Sequence, residues 1–175
     1  MIDVALSADA TRMLLAGDGS TTTLLEALLN CPLSVRVDAQ GPVPAHVLDS
    51  RAVRALGLAA GEQAVLRHSA LLTPGGDVVS VNTVAFTVQP SGWSASASDS
   101  TPLGQRLREA GSKQHRTILT SGLAEWPGDD RHQPCAFKEY VISCADGSRI
   151  YVFEKFNPAY VSAAESDRDL EPAGS

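Results

Sequence analysis

Two charged residues occupy positions where strand periodicity calls for apolar side chains. Ile150-Tyr151-Val152-Phe153-Glu154-Lys155-Phe156 is rich in β-branched and aromatic residues and reads as a β-strand. Alternation puts Ile150, Val152, Glu154 and Phe156 on one face. Glu154 is therefore a carboxylate in an apolar row. Burial there would raise its pKa, as general acids in catalytic sites require. Arg67 breaks a second row, shared with Val65, Ser69 and Leu71. Its guanidinium suits bidentate binding of a carboxylate. Two arrangements fit the pair. In one, they stand at opposite ends of a pocket and hold an acid that carries a hydroxyl or ether. In the other, Arg67 only neutralises Glu154 or Glu139 within the sheet.

The remaining polar clusters offer less. Asp18-Gly19-Ser20-Thr21-Thr22 precedes a helix, and its N–H groups could hold an anion, though an ordinary helix cap is the better explanation from spacing alone. The same two readings apply to the helix start at Thr101-Pro102-Leu103-Gly104. Neither is a P-loop. His46, His68, His115 and His132 lack metal-ligand spacing, so neither a metal nor a cofactor is expected. Ser20, Ser69 and the thiols have no adjacent base, which gives no support to covalent catalysis.

The elements that would position these groups follow in order. Ser7 can cap a helix from Ala8 to about Leu15. Thr23 and Glu26 have capping-box spacing, with Leu24, Leu25, Leu28 and Leu29 as the apolar face. Leu33–Val37 alternates as a strand, and Gly41 to Pro44 reads as a loop. Asp49 or Ser50 caps a short helix through Ala55. Gln63–Leu72 and Asp77–Val88 form a hairpin that, with Leu72 opposite Asp77, sets Arg67 opposite Asn82. A Ser-rich loop, Pro90–Ser100, leads to a helix capped by Thr101. Arg116–Thr120 is a strand. Phe137–Cys144 and Arg149–Phe156 form a second hairpin, and Cys144 opposite Arg149 sets Glu154 opposite Glu139. The expected fold is α+β: a six-stranded antiparallel sheet with helices packed on one side.

Composition narrows the classes. The 175 residues suit one domain, drawn at 1–162, with an acidic tail at 163–175 expected to be disordered. Net charge is −6 with no basic stripe, which speaks against a nucleic-acid partner. No run is long enough for a membrane span, and there is no signal-peptide pattern. Cys31, Cys135 and Cys144 form no CxxC pair, as expected of buried thiols in a reducing, cytoplasmic setting.

Four pieces, in order, give the chain a family likeness: Asp18–Thr22 with Glu26, Leu66-Arg67, Thr101–Leu107 with its TPLG start, and the closing Phe153-Glu154-Lys155-Phe156. From Leu14 to Tyr160 the chain resembles the chorismate pyruvate-lyases, cofactor-free enzymes that release pyruvate from chorismate to give 4-hydroxybenzoate. The resemblance implies that Arg67 binds the ring carboxylate and that Glu154 acts at the ring hydroxyl or ether oxygen. Backbone N–H groups at Thr21 and Leu103 would help hold the carboxylate. Asn82 and Glu139 would also face the substrate. There are departures: Thr21 stands where a Met is expected, Asn82 where many members carry a second Arg, and Glu139 where a basic residue is common. A relative acting on another aromatic acid in specialised metabolism is compatible with them. The fold also serves as the effector-binding UTRA domain of bacterial transcription regulators, and Leu56-Gly57-Leu58 to Arg67 is similar to its opening. The lyase ranks ahead of a stand-alone binding module because the segment before Leu56 lacks a basic winged helix.

Overall fold

In a computed structural model the described residues are 5–87, 102–109, 111, 113–128 and 132–163. The expected Ser-rich loop, the Thr101 cap and the tail beyond residue 163 lie outside them. The chain runs α1 (Ala8–Ala16), α2 (Thr21–Leu29), β1 (Ser34–Pro44), α3 (Ser50–Leu56), β2 (Gln63–Leu72), β3 (Val78–Phe86), α4 (Leu103–Glu109), β4 (Gln114–Glu125), β5 (Pro134–Cys144) and β6 (Arg149–Phe156). The strands make one six-stranded sheet in the order β1-β2-β3-β6-β5-β4, and each neighbouring pair is antiparallel. This is the expected α+β fold, with one difference: helices cover both faces.

Leu14 of α1 and Leu25 and Leu29 of α2 pack with Leu71, Ala136 and Phe156 on one face. Leu107 of α4 joins Val84, Ile142, Ile150 and Val152 on the same face. Ala52 and Leu56 of α3 pack with Ala85, Val141 and Tyr151 on the reverse. The strands of the central pair, β3 and β6, are apolar on both faces, so each face needs a cover.

Local chemistry sets the ends. Ser7 and Ser20 cap α1 and α2, each accepting from a first-turn N–H. The cap of α2 is thus Ser20 rather than Thr23, and Glu26 instead accepts from the Leu33 N–H at 3.0 Å. Asn30 ends α2 in the left-handed conformation, and Gly57 does the same for α3. β1 does not stop at Val37. It crosses a bulge at Asp38 and runs to Pro44 along β2, because an edge strand tolerates proline where no ladder N–H is needed.

Both hairpin registers differ from expectation. In the first, Leu72 pairs with Val78 and Leu71 with Ser80, so Val79 is an extra residue on β3. Arg67 then lies opposite Val84, and Asn82 opposite Ser69. The shift is two residues, so Asn82 stays on the Arg67 face. In the second, Asp146 accepts from both the backbone N–H and the hydroxyl of Ser148. The Cys144 N–H donates to Ser148 O, which leaves a three-residue loop ending at Gly147 with φ 84°. Ser143 therefore pairs with Arg149, and Lys138, not Glu139, faces Glu154. A one-residue slip moves side chains to the opposite face. Glu139 leaves the expected site for that reason.

Candidate functional site

The N-termini of α2 and α4 overhang the sheet and close a small cavity of about 50 Å³. Its floor is a set of cross-strand rows. One row carries Arg67, Val84, Val152 and Tyr140; the next carries Ser69, Asn82 and Glu154, and continues past the cavity to Lys138. Thr21, Leu103 and Gly104 form the roof, and Arg116 enters from β4. The structure therefore gathers Arg67, Glu154, Thr21, Leu103 and Asn82 around one space. Glu139 is absent from it.

Arg67 and Glu154 come from β2 and β6, two strand spacings or roughly 10 Å apart across the sheet. Both are buried, at 4% exposure each. The charges that act on Glu154 are Lys138 and Arg116. Burial pushes the Glu154 carboxyl above its ordinary range, while the facing Tyr140 and Thr21 hydroxyls and the two cations pull the other way. Burial wins. Burial also pushes the Tyr140 phenol well up, so Tyr140 stays a neutral donor. Thr21 Oγ1 faces the carboxylate without completing a hydrogen bond, and Glu154 Oε2 is likewise without a partner. Arg116 Nε is a third buried polar atom with no partner. Buried polar groups are normally satisfied, so three such atoms around one cavity are an unusual concentration.

The roof adds donors. The first N–H groups of any helix lack intrahelical acceptors. At Thr21 and at Leu103 these open donors point toward the end of the helix where an anion is favoured. Ser20 accepts from Thr23 and so holds the first turn of α2 in place.

Lys138 is 2% exposed and lies beneath α1. Its ammonium donates to Leu14 O at 3.2 Å and to Gly17 O. It caps the C-terminal carbonyls of α1, where a cation is favoured. Desolvation lowers its pKa and Glu154 counters that.

On the reverse face Glu139 is 1% exposed and accepts from the Tyr151 hydroxyl at 2.7 Å and from Arg51 Nη1 at 2.6 Å. That arrangement ties α3 to the sheet. Among the described residues no group of three His, Cys, Asp or Glu side chains is placed to hold a metal ion.

Sequence reasoning missed Arg116, Tyr140 and Lys138. The signal was present for Arg116, which shares a strand face with Ile118 just as Arg67 does with Val65. Lys138 and Tyr140 depended on a register that the Asp146 side chain sets.

No family model matches the sequence, and no curated protein matches it. Solved structures do. The effector domain of PhnF from Mycobacterium smegmatis is 18% identical with a TM-score of 0.56, covering 81% of this chain and 90% of that one. The ligand-binding domain of a regulator assigned to the GntR family, from Bordetella bronchiseptica, is 15% identical with a TM-score of 0.52, covering 77% and 89%. The C-terminal domain of the histidine utilization repressor from Pseudomonas syringae pv. tomato is 11% identical with a TM-score of 0.50, covering 71% and 90%. These neighbours are effector domains of transcription regulators and share the chorismate lyase-like fold. They overturn the expectation of a carbon–oxygen lyase: these neighbours are regulator domains. The expectation that nucleic acid is no partner also loses its support, because such domains belong to regulators. Among the described residues no helix is long and apolar enough to cross a membrane.

Proposed function

We propose that this chain is a small-molecule-binding module whose ligand is an aromatic or similarly compact organic acid, received between the sheet and the starts of α2 and α4. The observation that carries the reading is the convergence of three buried, unpartnered polar atoms, Thr21 Oγ1, Glu154 Oε2 and Arg116 Nε, on one cavity. A bound ligand would supply the missing partners. Arg67 would hold the carboxylate, with Asn82 and Ser69 beside it. Val84 and Val152 provide apolar floor for a ring. Glu154, biased toward its protonated form, would meet a hydroxyl or similar group at the far end.

The effector-domain neighbours favour binding without turnover. Titration with 4-hydroxybenzoate tests the reading: the acid should raise the melting temperature in a saturable manner, since it binds only the native state. A melting temperature unmoved by 4-hydroxybenzoate and by other simple aryl acids would overturn it.

A further inference from the structure

We infer, resting on that reading of the cavity, that Arg116 is a second anion anchor and that the ligand carries two acidic groups rather than one. The guanidinium of Arg116 reaches the place where α2 and α4 begin. A Cβ on Gly104 would lie 3.0 Å from Arg116 Nη2 and 3.2 Å from Ser20 Oγ, so the bare backbone of Gly104 is what admits the guanidinium there. Among the described residues Arg116 has no hydrogen bond and no ion pair, and its Nε is buried. Glu154 acts on it only through space.

A buried Nε with no acceptor costs the folded state the desolvation of that N–H, which an anion would offset. Arg116 and Glu154 line the same cavity, and burial biases the Glu154 carboxyl toward its neutral form. Arg67 on β2 and Arg116 on β4 approach from the two sides of the sheet, with β3, β6 and β5 between them. A rigid ligand lying across the floor would present one acidic group to each. The helix-start N–H groups of α2 at Thr21 would share the second group with Arg116.

Calorimetric titration of the full chain with benzoate and with benzene-1,4-dicarboxylate tests this. The dicarboxylate should bind roughly ten-fold tighter or more, as expected for one added charge-assisted pair. Arg116→Gln should erase that advantage and bring the affinities for the two acids together. Gly104→Ala, which crowds the guanidinium without removing it, should also reduce the advantage, and it serves as the second variant if Arg116→Gln fails to fold. Equal affinity for the two acids, or an advantage that survives both substitutions, would overturn the second anchor while benzoate binding leaves the pocket itself standing. Binding of neither acid would remove the pocket reading and the anchor with it.

Discussion

Lys138 stands directly across from Glu154 on the neighbouring strand, and Glu139 stands across from Phe153. The ammonium of Lys138 is engaged by Leu14 O and Gly17 O, so the residue joins β5 to the end of α1. Lys138→Ala should leave those carbonyls and Glu154 without their cation. We expect a loss of about 1–3 kcal/mol, the cost of leaving buried hydrogen-bonding groups without their partner. Denaturant melts at pH 7 measure it. A loss no larger than that of an exposed lysine would refute the buried role.

Glu139 belongs to the reverse face, where it holds Tyr151 and Arg51. Glu139→Leu should therefore destabilise the fold by about 1–3 kcal/mol, the cost of leaving a buried donor unsatisfied. Aryl-acid affinity should change by less than about two-fold, since distant sites behave independently. A large affinity loss at unchanged stability would place Glu139 back in the pocket.

These two residues show where the sequence was legible and where it was not. β2 and β6 match their expected bounds, because each is a continuous run of strand-forming residues. The two interrupting charges, Arg67 and Glu154, are buried at one cavity for the reason that alternation suggested. The partners across the strands were not legible. Val79 bulges out of β3, and the Asp146 side chain draws Ser148 into the turn. Each is a local hydrogen-bonding choice that a hydrophobic pattern does not encode. The cover on the reverse face was missed because α3 is only seven residues long, too short for its two buried positions, Ala52 and Leu56, to show a clear periodicity.

The raised pKa of Glu154 gives a pH signature. The folded protein holds this proton more tightly than the unfolded chain does. Its contribution to stability is therefore full below the unfolded value, about 4.3 for glutamate, and is lost as pH rises through the raised folded value. Glu154→Gln keeps the shape and removes the titration. The variant should be more stable than the parent at neutral pH, and the difference should shrink as pH falls. Melting curves across that range check it. A variant less stable than the parent at pH 7, with a gap that closes in acid, would mean that Glu154 is held as a well-paired anion.

Arg67 tests the central claim, that the covered face of this sheet is a binding site for a small organic acid. The decisive measurement is a calorimetric titration of 4-hydroxybenzoate into the parent protein and into Arg67→Ala, with melting curves on both. The account predicts saturable binding at one site in the parent. In the variant it predicts an affinity loss of about 1.5–3 kcal/mol, the worth of a hydrogen bond to a charged group, with the folded state retained. Equal affinity in the two folded proteins, or no binding by the parent, would contradict it.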